Sequence, residues 1–174
     1  MRKILIRLLL TAPLLSTIAN AAETNMRPGL WEISTTSDFL LLAPHLTVDQ
    51  MESVKDLVKD YGLDFPNIKN GTATAQACLT QEMVNKKTLP NFYQAQLGCN
   101  SKNANRNGNN YKADFICDSQ TLKGNGTATG TITNPEAFLG QTKFTGKARG
   151  NPVSEKADII GKWVNASCGS VNPL

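Results

Sequence analysis

Four cysteines, Cys78, Cys99, Cys117 and Cys168, stand downstream of an export-type N-terminus in a chain with a single histidine. An even cysteine count in an exported domain reads as a disulfide framework rather than a metal or redox site. Two bridges constrain the chain more tightly than any other feature, because they decide which distant strands must end side by side. Four cysteines allow three pairings. Cys99 and Cys117 lie symmetrically about Asn107-Gly108-Asn109. A three-residue hairpin loop centred on Gly108 sets them opposite one another, within disulfide reach. Cys78 and Cys168 then tie an early strand to the C-terminal segment. Loop-closure entropy assigns about 3 kcal/mol to the short bridge and roughly 4.6 kcal/mol to the long one.

The N-terminus reads as a cleavable signal over residues 1–21. Arg2, Lys3 and Arg7 precede an apolar run to Ile18, and Ala19-Asn20-Ala21 is a small-x-small cleavage pattern. The alternative, a membrane anchor, needs about 20 apolar residues; this run is shorter and is broken by Pro13. No cysteine stands at the junction, so it is not a lipoprotein signal, and residues 22–174 are expected to form one periplasmic or secreted domain without a stable membrane span. Cleavage lowers Lys+Arg from 18 to 15 against 14 Asp+Glu, so the net charge falls from +4 to +1. That balance gives no support for nucleic-acid binding.

Along the domain, apolar and polar residues alternate with a period of two. Leu30–Thr35 places Trp31 and Ile33 on one face. Phe39–Ala43 is apolar without a period, a short strand or the approach to a helix. Thr47 and Gln50 form a capping box for a helix over about 48–61, in which Met51, Val54, Leu57, Val58 and Tyr61 make one apolar face and Gly62 ends it. This helix is expected to pack on a sheet. Strands are predicted after Asn70-Gly71 up to Leu79, over Phe92–Cys99, and over Tyr111–Cys117. Three more cover Gly126–Thr133, Thr142–Arg149 and Ile159–Ala166, with a helical turn at about 81–85. Asn-Gly at 70, 107 and 125 marks hairpin turns, and the Asn-rich stretch 99–110 reads as a loop tip. The fold class is mainly β: a curled antiparallel sheet of about seven to nine strands, barrel or half-barrel, with one amphipathic helix.

Arg27-Pro28-Gly29-Leu30-Trp31-Glu32, the central helix, Cys78-Leu79-Thr80, then Cys99, Cys117 and Cys168 resemble, as an ordered set, the bacterial domain of unknown function 3617 family. The resemblance implies a small exported β-rich protein with no established activity and no catalytic residues to carry over.

Catalytic constellations are not evident. His45 has no second imidazole with which to hold a metal, and no serine lies in a nucleophile elbow. Asp56 and Asp60 share a helix face with Lys55 and Lys59, a solvated pattern. Gly124-Asn125-Gly126 leads into a strand, not the helix that a phosphate loop needs. No cofactor, metal or catalytic residue is assigned. What remains is a face of small residues, Ala73, Ala75, Ala77, Ala128, Gly130, Gly146 and Ala148, beside the large Trp31, Tyr111, Phe115, Phe144 and Trp163. Small residues there let a helix pack closely, or leave room for an apolar or amphipathic ligand between those aromatics and the helix. Two partner classes follow, a hydrophobic small molecule or an envelope protein such as an enzyme to be inhibited. A hydrolase is the least favoured reading.

Overall fold

The computed structural model describes residues 24–60, 65–86 and 97–173. The expected signal at 1–21, the helix end at Tyr61 and Gly62, and residues 92–96 of an expected strand lie outside them. The elements are β1 (Gly29–Ser37), α1 (Asp38–Leu42), a 3₁₀ turn (Ala43–His45), α2 (Val48–Asp60), β2 (Asn67–Lys69), β3 (Thr72–Leu79) and α3 (Gln81–Asn85). The long strands follow: β4 (Cys99–Asn107), β5 (Asn110–Asp118), β6 (Leu122–Asn134), β7 (Ala137–Ala148) and β8 (Asn151–Asn165). All eight strands join one curled, unclosed antiparallel sheet in the order β2-β3-β1-β8-β7-β6-β5-β4. Of the barrel or half-barrel expected from the alternating pattern, the open, unclosed form is the observed one.

Local chemistry accounts for the turns. Asn70 and Gly71, with φ of 50° and 73°, link β2 to β3, and Arg149 and Gly150, at 49° and 83°, link β7 to β8. Two successive positive φ values are what a tight two-residue hairpin demands, because they match the right-handed twist of its strands. Thr47 and Gln50 close the capping box reciprocally: Thr47 N–H donates to Gln50 Oε1 at 2.8 Å, and Gln50 N–H donates to Thr47 Oγ1 at 3.3 Å. Thr80 Oγ1 accepts from Met83 N–H and starts α3.

Several expectations are corrected. Residues 99–107 form an edge strand rather than a loop tip: their backbone pairs with β5, and their polar side chains face solvent as an edge tolerates. Asn125-Gly126 is no turn. It lies within β6, Asn125 between Ile116 and Thr145, and Gly126 between Phe115 and Phe144. Phe39–Ala43 is helical, its start capped by Ser37 Oγ, which accepts from Leu40 N–H at 3.3 Å. The β4–β5 loop holds two residues, not three, because Asn107 pairs with Asn110. A regular ladder from that turn would put Cys117 opposite Asn100. A bulge between Lys102 and Asn105, with Asn103 at φ 52°, shifts the register by one residue and brings Cys99 opposite Cys117.

Both bridges join strand to neighbour. Cys99–Cys117 spans β4 and β5 with Cα atoms 3.9 Å apart. Cys78–Cys168 holds the C-terminal segment to the end of β3 with Cα atoms 5.5 Å apart, and Pro173 bridges to Cys78 in parallel. The core has two clusters on the inward face. Trp31, Ile33, Ala77, Leu79, Val84, Tyr111, Ile132 and Phe138, with Met26, form the larger. Cys99, Phe115 and Cys117, backed by Leu97, Leu122, Ala128 and Phe144, form the smaller. Among the described side chains, none of α2 joins either cluster.

Candidate functional site

The five large aromatics divide between the two clusters. Trp31 is fully buried, its ring 5.7 Å from that of Phe138, and its Nε1–H donates to Arg27 O at 2.9 Å. Trp163 is half-buried: its Nε1–H donates to Pro28 O, and the Arg27 guanidinium stacks 4.3 Å above it. Arg27 also pairs with Glu136 across the sheet end. Tyr111 lies beneath Arg106, 5.1 Å from ring centroid to guanidinium carbon. Phe115 and Phe144 stack almost parallel, 6.2 Å apart, in the smaller cluster.

Rings from neighbouring strands occupy the space above the small residues. A Cβ at Gly126 would stand 2.5 Å from Phe115 Cε2, and one at Gly161 would stand 2.5 Å from Phe138 Cζ. Phe144 Cζ lies equally close over Gly124 and Gly146, at 2.8 and 2.9 Å from a Cβ there. Such distances are far inside van der Waals contact, so these glycines are required for the aromatic side chains to lie flat on the sheet. This is a third use of small residues, besides helix packing and ligand space. It places Trp31, Phe115 and Phe144 in the packing of the scaffold.

Unfilled apolar surface lies elsewhere, where β1 runs into α1 and α2. Phe39 N–H donates to Glu155 Oε1 at 3.2 Å, tethering the start of α1 to β8. Leu41 sits against the turn glycine Gly71, where a Cβ would come 2.9 Å from Leu41 Cγ. Ala43 is buried, and Pro44 occupies the first turn of the 3₁₀ segment, where a missing N–H costs nothing. Yet Phe39 and Leu41 remain 51% exposed, Leu42 58% and Val48 81%. Beside them lies a recess of about 630 Å³ with Ala43, Pro44, Leu46, Val48 and Met51 as its apolar lining, and Thr47, Glu52 and Lys55 as its polar part. That volume falls in the range of small-molecule sites, and an apolar lining with few polar groups is their usual character. Its traces in the sequence are Ala43 at the end of the aperiodic apolar run and Met51 on the apolar face of the predicted helix.

The described residues offer little else with reactive character. All four cysteines are in disulfides, and among the described residues no group of three or more His, Cys, Asp or Glu side chains stands together as a metal site. His45 is exposed in the 3₁₀ turn. Among the described residues no helix is long and apolar enough to cross a membrane.

These features define a mainly β protein built on one open antiparallel sheet and clasped by two disulfides. A family model described as "Protein of unknown function (DUF3617)" matches residues 26–168, and the chain belongs to that family. No curated protein and no solved structure matches it.

Proposed function

We infer that this protein is an exported, periplasmic binding or accessory module without catalytic activity, and that its ligand is an apolar or amphipathic small molecule. The observation that carries the reading is the recess between the 3₁₀ turn and α2, which offers apolar walls beside Lys55 and Glu52. A ligand with a hydrocarbon part can cover Val48 and Met51 while a polar head meets Lys55. Burying apolar surface supplies about 25 cal/mol per Å² of the driving force. Export is supported by the signal-like N-terminus and by two disulfides, which persist in oxidising compartments.

The test is titration with N-phenyl-1-naphthylamine, an apolar fluorophore, in wild type and in Val48→Asp and Met51→Asp. Saturable binding weakened about tenfold by either substitution is expected, since a buried carboxylate is costly to desolvate. Binding that neither substitution changes would refute the placement of the site. N-terminal sequencing of protein from the periplasmic fraction should begin at Ala22; a retained residue 1 would refute export by cleavage.

A further inference from the structure

The outward face of β4–β8 carries a charge distribution that the near-neutral total conceals. Residues 23–82 contain nine carboxylates and four Lys or Arg, whereas residues 83–174 contain five carboxylates and eleven Lys or Arg. The excess gathers on the sheet side opposite the aromatic clusters. In register across the strands, Lys143 of β7 faces Lys156 of β8, and Lys123 of β6 faces Lys147 of β7. Lysines directly opposite are about 5 Å apart at the backbone and repel each other.

The acidic residues on this face are already engaged. Asp118 pairs with Lys123 at 3.6 Å and Asp158 with Lys156 at 3.9 Å, while Asp114 accepts from Asn103 Nδ2 at 3.0 Å. Lys102, Lys112, Lys143 and Lys147 make no ion pair among the described residues. Around these ammonium groups stand amides and hydroxyls, with Asp114, Phe115 and Ile116 among them. Three shallow recesses of about 370, 470 and 410 Å³ open onto the face, bordered by Asn103, Asn110, Asn125, Thr127 and Gln141, with Asp114 in the first two and Asp158 in the third.

The geometry points to this face as a binding surface for an acidic polysaccharide, a polymer that combines repeated anionic groups with many hydroxyls. The unpaired lysines complement its charge, and the asparagines, threonines and Gln141 can donate to and accept from hydroxyls. Nucleic acid fits less well, because single strands are held by stacking on exposed rings, and the large exposed hydrophobic residues of β4–β8, Ile116, Leu139, Ile160 and Val164, include no ring. Leu139 and Ile160 are cross-strand partners while Ile116 stands between Asn100 and Asn125, so the apolar part of the face is a small patch in a mainly polar and basic surface. The surface is separate from the apolar recess at α2.

The experiment measures binding of the oxidised protein to polygalacturonate, with neutral dextran, anionic phosphatidylglycerol vesicles and single-stranded DNA as comparisons. Binding to polygalacturonate is expected, falling steeply as salt rises from about 50 to about 300 mM because exposed charges are screened. The double variant Lys143→Gln/Lys147→Gln should lose about tenfold in affinity, as counterion release scales with the number of charge contacts. Lys86→Gln, at the C-cap of α3, should bind as wild type, and all variants should keep the wild-type circular dichroism spectrum. The proposal is overturned by no binding to polygalacturonate at low salt, by equal affinity for dextran, or by an undiminished double variant. Tighter binding to DNA or to vesicles overturns it too and reassigns the face.

Discussion

Gly161 is the position at which the packing of this sheet can be tested most sharply. It lies on β8 between Ile33 of β1 and Phe138 of β7, and Phe138 covers it. A methyl group at Gly161 would come 2.5 Å from both Cδ1 and Cζ of Phe138, so the ring must leave its place against Trp31. Phe138 is only 2% exposed, and Trp31 has no room to yield. Gly161→Ala should therefore destabilise by about 2 kcal/mol, within the range for overpacked cores. At about 2–4 °C per kcal/mol for a chain of this size, Tm should fall by about 4–8 °C. Phe138→Ala alone should cost about 3–5 kcal/mol through its cavity. In that background the clash is gone, and alanine in a strand is better than glycine by about 0.5–1 kcal/mol. The sign of Gly161→Ala should thus reverse, leaving the double variant more stable than Phe138→Ala. Gly140 is the internal control: its nearest neighbours would be 3.4 and 3.5 Å from a Cβ, ordinary contact, so Gly140→Ala should be neutral or slightly stabilising. Urea unfolding followed by circular dichroism, with disulfides intact, measures all four. Additivity of the two core substitutions within about 0.5 kcal/mol would refute the claim that the glycine exists for the ring.

Two further outcomes follow from the cysteine framework. Replacing Cys78 and Cys168 by serine should cost more than replacing Cys99 and Cys117, about 4.6 against about 3.2 kcal/mol for closed loops of 90 and 18 residues, read from urea midpoints. Deleting Asn103 removes the bulged residue, yet counting back from the Asn107–Asn110 closing pair then still sets Cys99 opposite Cys117. A non-reducing peptide map of that variant should show the same two bridges, and exchanged partners would contradict the register argument.

The elements most visible in the sequence are those in which one local rule acts alone. The capping box at Thr47 and Gln50, the Asn70-Gly71 turn and the Trp31/Ile33 alternation each need only near neighbours, and each is found as read. β4 was hidden because an edge strand owes its form to one partner's backbone and tolerates the asparagines that usually mark loops. Asn125-Gly126 misleads for a tertiary reason: the glycine makes way for Phe115, a residue on another strand. The bulge at Asn103 is likewise invisible to symmetry arguments about Gly108. The lysine face depends on register between strands, which no single segment records, whereas the apolar recess is lined by one stretch, residues 43–55, whose fold against itself the periodicity alone does not give.

The strand order has a consequence for how the chain comes together in time. β4 to β8 are consecutive neighbours, so each can pair as soon as the next is made. β1 is different: it lies between β3 and β8, and Thr35 pairs with Ile159 across more than a hundred residues of chain. Synthesis runs from the N-terminus, so the strand carrying the most buried tryptophan is made first and receives its second neighbour last. Such long-range pairing is slow to form. Until it does, the β1–β3 unit presents Trp31 and Ile33 along an unpaired edge. A nascent chain stopped short of residue 151 would therefore hold a ready template for the wrong strand.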